Sequence, residues 1–248
     1  MDIKTELETA FADIKFDEGP HTYSDSHKTP FTSVTTWLHG YSKPFDAKAV
    51  AAKKTTSKED MEALLKQWEL GKEYACHFGT QLHLVMENLW ARKVYQPIAL
   101  NDEMKKDFAQ RVPQCQSAVD FLRLEGYVPV ATEFVICDRL LGLAGCVDAI
   151  FYNTRTNRLV IADWKTNKQI RKTGYKGATL NDKLSTFQDC ELGKYSVQLN
   201  VYADIIERNT SLKVDELFLV HFPPEGKDFV KIGIERTPIF TDQEKLSI

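Results

Sequence analysis

Three neighbouring segments in the middle of the chain are predominantly apolar and rich in β-branched and aromatic residues. They lie at 127–137, 142–152 and 158–165. Short apolar runs of this composition are typical of strands. The polar sequence NTRTN at 153–157 separates the last two and predicts a hairpin. Two further strands are predicted at 213–222 and 229–236, so the middle and end of the chain are expected to form a sheet.

Helical spacing dominates before this sheet. Residues 45–90 are predicted to be helical, with Ser57 and Asp60 forming a capping-box type of start. The pair Gly79-Thr80 is expected to divide off a second helix, from about Thr80 to Trp90. A further helix is predicted over 102–124, with an interruption at Pro113.

Further elements are predicted before the long helices and after the central strands. Residues 13–24 predict a hairpin, and Ser33 predicts the start of a short helix. A helix is predicted from about Tyr195 to Arg208, because Tyr195, Leu199, Tyr202 and Ile206 follow helical spacing. Together these elements predict an α/β fold in which a central mixed β-sheet is flanked by helices, with an N-terminal helical region. Since no Pro-rich or Ser/Gly-rich linker is present, we expect a single domain over residues 1–248.

Composition narrows the class of protein. The 248 residues include 32 Lys and Arg and 35 Asp and Glu, and this net charge of −3 excludes a protein that coats nucleic acid through bulk positive charge. No apolar stretch approaches the roughly 18 residues that span a membrane. The start of the chain lacks the pattern of a secretory signal, and the five cysteines include no closely spaced pair. We therefore expect free thiols, no membrane partner and a cytoplasmic location.

Three carboxylates interrupt strand faces that are otherwise apolar. Asp163 and Lys165 share a face with Leu159 and Ile161, whereas Val160, Ala162 and Trp164 share the other. Asp148 lies between apolar neighbours in the preceding strand, and Glu133 lies between Ala131 and Val135 in the strand before that. An unpaired buried carboxylate is costly, and a divalent cation would compensate the clustered charge. Hard oxygen ligands suit Mg²⁺ or Mn²⁺.

These residues carry a family resemblance. Gly145-Cys146-Val147-Asp148 is followed by Asp163-Trp164-Lys165-Thr166, which resembles the D…(D/E)-x-K core of the PD-(D/E)XK nuclease superfamily. Two more blocks resemble the RecB-type branch, which includes phage and mitochondrial genome-maintenance exonucleases: GTQLHLVME at 79–87 and QLNVY at 198–202. All four blocks follow the family's order. The resemblance covers roughly residues 68–208, between an N-terminal hairpin and helices at 1–60 and C-terminal strands at 209–248.

The resemblance implies a restriction-endonuclease-like core and Mg²⁺-assisted hydrolysis of phosphodiester bonds, in which Mn²⁺ would substitute. Asp148, Asp163 and Lys165 would be the catalytic residues. One or two ions would be held by Asp148, Asp163, His83 and the backbone carbonyl of Trp164. Glu133 would be an outer ligand or an acid that contacts one of the ligands. Lys165 would position or help to deprotonate the attacking water. Glu87 lies at i+4 from His83, and it would orient His83 or a neighbour.

Contacts with DNA are expected from two further places. Gln198 and Tyr202 share a helix face that would contact the substrate backbone or brace the catalytic strand, the predicted strand at 158–165. For Tyr202 a role in the core is equally well supported, because it lies on the apolar face that Tyr195 and Leu199 also occupy. The sequence KTNKQIRKTGYKG after the catalytic strand would bind phosphates through Thr166, Lys168, Arg171 and Lys172.

The resemblance favours a stand-alone DNA exonuclease in recombination, repair or replication, and a recombinase or a single-strand-binding protein is a candidate partner. A structure-specific or restriction-type endonuclease and a non-catalytic DNA-binding module are the alternatives. No G-x-x-x-x-G-K-[ST] motif is present, so no nucleotide cofactor is expected. The four-cysteine pattern of iron–sulfur relatives is missing, so no cluster is expected. Some relatives form ring-shaped oligomers, and the oligomeric state stays open here.

Overall fold

A computed structural model describes residues 2–226 and 228–240, which contain six α-helices and eight strands. The helices are α1 (Ile3–Ala10), α2 (Val34–His39), α3 (Ala47–Lys54), α4 (Lys58–Trp90), α5 (Asp102–Leu124) and α6 (Glu191–Asn209). The strands are β1 (Lys15–Asp17), β2 (Thr22–Ser24), β3 (Pro30–Ser33), β4 (Tyr127–Asp138), β5 (Leu143–Asn153), β6 (Arg158–Lys165), β7 (Val214–His221) and β8 (Val230–Ile234). The predicted hairpin at 13–24, the helix that Ser33 caps and the cap at Ser57 are all confirmed.

All eight strands join one mixed sheet, which confirms the predicted fold class. Strand β5 is its centre, because β4 pairs along one side of it and β6 and β3 share the other side. The β4–β5, β5–β6 and β7–β8 pairs are antiparallel, whereas β6–β7 and β3–β5 are parallel. Strand β3 was not predicted, and it connects the N-terminal hairpin to the sheet through Thr32 and Ser33.

Each face of the sheet is covered by its own hydrophobic core. Leu159 and Ile161 of β6 face the core that contains α1, α2 and α6. Val160, Ala162 and Trp164 face the opposite core, which contains the C-terminal half of α4 together with α5. The predicted alternation along β6 is therefore confirmed.

Helix α4 runs without a break through Gly79, so the predicted division at Gly79-Thr80 is wrong. A glycine inside a helix costs about 1 kcal/mol relative to alanine. The neighbouring side chains Phe78 and Leu82 are almost completely buried, and burying each contributes about 2 kcal/mol. Packing thus outweighs the local preference of Gly79.

Helix α5 also continues through Pro113, and the predicted interruption there is wrong. Pro113 and Ala109 are both exposed, so water can hydrate the Ala109 carbonyl that has lost its helical partner. Helix α6 starts at Glu191, one turn before the predicted start. The last part of the predicted C-terminal region, 241–248, lies outside the described residues.

All five cysteines are unpaired thiols, as predicted. Within the described residues, no helix has both the length and the apolar character needed to cross a lipid bilayer.

Candidate active site

Strands β5 and β6 separate at the point where each carries an aspartate. Their last paired residues are Ala149 and Ala162, and the next positions are Asp148 and Asp163. The Asp148 side chain lies in the opening, where its Oδ2 accepts a hydrogen bond of 2.7 Å from the Trp164 backbone N–H. The divergence of the two strands therefore brings the predicted catalytic aspartates to one place.

Asp163 and Lys165 form a buried ion pair beside this opening. Lys165 Nζ lies 2.5 Å from Asp163 Oδ2, and only 3% of the Asp163 side chain is exposed. Burial and the nearby Asp148 carboxylate raise the pKa of Asp163 above its ordinary value. Burial opposes the positive charge of Lys165, but the Asp163 and Asp148 carboxylates raise its pKa overall. Each of the two charges thus favours the ionised form of its partner, in a site from which water is largely excluded.

His83 reaches the same opening from α4, on the other side of the sheet. Its Nε2 lies 3.1 Å from the Trp164 carbonyl oxygen, and its Nδ1 lies 3.4 Å from Glu133 Oε1 and 3.7 Å from Asp148 Oδ2. Burial alone would lower the pKa of His83, yet the Asp148 and Glu133 carboxylates raise it to about 9. The ring is oriented with Nδ1 towards the carboxylates and Nε2 towards the carbonyl.

Glu133 enters the site through an irregular backbone. Its φ of 47° is left-handed, and it lies between the paired positions Thr132 and Phe134 of β4. A non-glycine residue held in this region costs about 1 kcal/mol or more. The pairing of β4 with β5 nevertheless keeps one register from Ala131 to Asp138. The left-handed backbone is thus confined to the residue whose carboxylate faces His83.

The donor set fits a divalent cation. His83, Glu133 and Asp148 each offer one ligand atom, and these three atoms lie within 4.8 Å of one another. Two carboxylate oxygens and one imidazole nitrogen suit a hard or borderline divalent ion. In this arrangement Asp163 lies beside the set and pairs with Lys165 instead. The Trp164 carbonyl faces His83 Nε2, which leaves Nδ1 as the ligand atom if Nε2 carries the proton.

Glu87 does not orient His83, which is the first of the two roles predicted for it. Among the described residues, no hydrogen bond or ion pair joins Glu87 to His83, because both ring nitrogens point towards the sheet. Glu87 lies one turn further along α4, where it lines a cavity of about 370 Å³ between α1, α4 and β4. The groups that orient His83 are Glu133 and the Trp164 carbonyl.

Tyr202 lies inside the protein, so its predicted contact with DNA is wrong and its bracing role is favoured. It is 3% exposed, and its hydroxyl accepts a hydrogen bond of 3.0 Å from Gln198 Nε2. A Cβ atom added to Gly145 would lie 2.4 Å from Tyr202 Cε1. Tyr202 therefore packs directly on β5, three residues before Asp148. Gln198 is half-buried and lines a second cavity, of about 240 Å³, beside Tyr195.

The basic segment after β6 is only partly available to a ligand. Lys168 and Lys172 are exposed, as a phosphate contact requires. Arg171 instead forms a two-pronged ion pair with Glu191, with Nε–Oε2 and Nη2–Oε1 distances of 2.8 and 2.5 Å. Thr166 is half-buried, and its carbonyl accepts a hydrogen bond of 2.9 Å from Arg111.

Three residues that the sequence did not single out for the site contact the turn that follows Lys165. Arg111 and His221 contact its backbone carbonyls, and Tyr195 contacts the side chain of Asn167. Only Tyr195 carried a signal, and its position on the apolar stripe of α6 predicted packing. Arg111 and His221 come from α5 and β7, which local patterns could not connect with the site.

Comparison with known proteins places these residues in a family. No curated protein sequence matches this chain. The family model of the PD-(D/E)XK nuclease superfamily matches residues 60–242, a range that contains the separated strand ends, His83 and the buried Asp163–Lys165 pair. Nucleases of this superfamily use divalent metal ions, in keeping with the donor set of His83, Glu133 and Asp148. The chain therefore belongs to the PD-(D/E)XK nuclease superfamily.

Proposed function

We propose that the chain is a metal-dependent DNA exonuclease that acts in recombination, repair or replication. The observation that carries the proposal is the arrangement of two acids, a lysine and a histidine where β5 and β6 separate. The blocks at 79–87 and 198–202, which resemble the RecB-type branch, support an exonuclease. A bound Mg²⁺, or Mn²⁺ in its place, would polarise the scissile phosphate and lower the pKa of a water molecule.

The residues of the site divide the remaining work. Asp148, Glu133 and the Nδ1 atom of His83 would hold the ion. Asp163 lies next to these three ligands and would contribute a further negative charge near the ion. The Lys165 ammonium group, held by Asp163, would orient the attacking water and offset the charge that develops on the phosphate. Hydrolysis adds this water across one P–O bond, which leaves a phosphate monoester on one side and a hydroxyl group on the other.

Linear and covalently closed DNA distinguish the proposed exonuclease from an endonuclease. We expect loss of 5′- or 3′-labelled linear DNA in Mg²⁺ or Mn²⁺, no loss in EDTA, and no cleavage of closed circles. Single- and double-stranded forms of both substrates should be compared in one time course. Nicked or linearised circles would show an endonuclease. Intact linear DNA under every metal condition would favour the remaining alternative, a non-catalytic DNA-binding module.

The exposed lysines after β6 are expected to contribute to DNA affinity through charge. Lys168→Gln with Lys172→Gln should weaken binding, and it should make the dependence of log K on log salt shallower by about 1 to 2, because about 0.7–0.9 ions are released per phosphate contact. Fluorescence anisotropy in EDTA, where hydrolysis is blocked, measures both quantities. Arg171→Gln is the matched comparison, and it should change the slope less because Glu191 already pairs with Arg171. An unchanged slope in the double variant would remove these lysines from the DNA interface.

A further inference from the structure

The turn from Lys165 to Asn167 is held by side chains from three different elements. Arg111 of α5 donates a hydrogen bond of 2.9 Å to the Thr166 carbonyl. His221 of β7 contacts the Asn167 carbonyl through Nε2 at 2.7 Å. The Tyr195 hydroxyl of α6 donates a hydrogen bond of 2.8 Å to Asn167 Oδ1. The residues that follow the catalytic lysine are therefore fixed by contacts distant in sequence.

Tyr195 also contacts the catalytic lysine itself. Lys165 Nζ lies 4.4 Å from the centroid of the Tyr195 ring and 2.5 Å from Asp163 Oδ2. The face of an aromatic ring attracts a cation, and it attracts it more strongly where water is excluded. The ammonium group is thus located between a carboxylate and a ring, and the hydroxyl of that ring is tied to the same turn.

We propose that Tyr195 is a positioning residue for Lys165 and that Asn167 holds Tyr195 in place; this inference rests on the proposed function. A lysine side chain has four rotatable bonds, so an ion pair with Asp163 alone leaves the direction of the ammonium group poorly defined. The Tyr195 ring restricts the ammonium group to one side of Asp163. Since the Lys165 contact is needed while the P–O bond breaks, its loss lowers kcat and leaves substrate affinity unchanged.

The test compares kcat and KM of the full chain on linear DNA in Mg²⁺. Tyr195→Leu is expected to lower kcat about tenfold with KM within about twofold of wild type, in line with the strength of a desolvated cation–π contact. Tyr195→Phe keeps the ring and loses only the hydrogen bond to Asn167, so it should lower kcat about twofold to threefold. Asn167→Ala should match Tyr195→Phe, and the two changes together should cost no more than either alone.

Tyr152 provides a matched control. Its hydroxyl donates a hydrogen bond of 2.9 Å to Asn157 Oδ1, and it is half-buried like Tyr195, but it lies near the end of β5 away from the site. Tyr152→Leu therefore makes the same chemical change and breaks the same kind of hydrogen bond. We expect its kcat and KM to equal those of wild type.

Several outcomes would overturn the inference. A wild-type kcat in Tyr195→Leu would do so, and so would a raised KM with unchanged kcat, because the latter would make Tyr195 a substrate contact in the cavity that it lines with Gln198. If circular dichroism shows Tyr195→Leu to be unfolded, Tyr195→Phe and Asn167→Ala carry the test, and wild-type kcat in both would overturn it. A wild-type protein that cleaves no DNA overturns the proposed function together with this inference, whereas an active wild type with an unaffected Tyr195→Leu overturns the inference alone.

Discussion

Replacement of Asp163 by Asn is expected to lower the rate of DNA cleavage by about a thousandfold or more. The amide keeps the shape of the side chain but removes the negative charge that holds the Lys165 ammonium group at 2.5 Å. Loss of one preorganised electrostatic group from a dehydrated site typically costs about 10²- to 10³-fold in kcat, and here Lys165 is displaced as well. Initial rates on linear DNA in Mg²⁺ measure the effect.

The variant is expected to remain folded. Asp148 lies beside Asp163, so removal of one of the two charges relieves their repulsion and offsets part of the lost ion pair. Circular dichroism and the midpoint of urea unfolding check this point. Asp215→Asn is the matched control, because Asp215 is an exposed aspartate on the adjacent strand β7, and its rate should equal wild type. A folded Asp163→Asn protein that cleaves DNA at the wild-type rate would refute the assignment.

Replacement of Gly145 by Ala is expected to lower the free energy of unfolding by about 2–3 kcal/mol. The new methyl group would lie 2.4 Å from Tyr202 Cε1 and 3.0 Å from the Tyr202 Cζ and Oη atoms. Both residues are buried, and the rigid ring has no flexible end that could move aside. Urea unfolding followed by circular dichroism measures the loss.

Two variants make this prediction specific. Gly233→Ala places the same methyl group on β8, where no neighbouring atom lies within 4 Å of it, and it should leave stability nearly unchanged. Tyr202→Leu removes the ring that Gly145→Ala strikes, so the double variant should lose less stability than the two single losses added together. Equal stability of Gly145→Ala and wild type would show that Tyr202 does not brace β5. The close contact gives a physical reason for the presence of both residues, although the chain separates them by more than fifty positions.

Local patterns were sufficient to predict most of the scaffold. Alternation along 158–165 assigned Leu159 and Ile161 to one face and Trp164 to the other, and two separate cores confirm that division. This works because a strand turns successive side chains to opposite faces whatever its partners are. The same reasoning failed at Gly79 and Pro113, where packing and solvent exposure outweigh the preference of one residue.

Sequence patterns alone were enough to predict the fold class, the strand faces and a small set of candidate site residues. Their pairing is visible only in three dimensions: Glu133 and Asp148 pair with His83, Asp163 with Lys165, and Arg171 with Glu191. The tertiary structure also shows that Tyr202 lies inside and that Tyr195 covers the lysine. Periodicity reports which face of an element a side chain occupies. The residue with which that side chain pairs depends on where strands separate and on how helices pack. Both are set by contacts between residues that are distant in sequence.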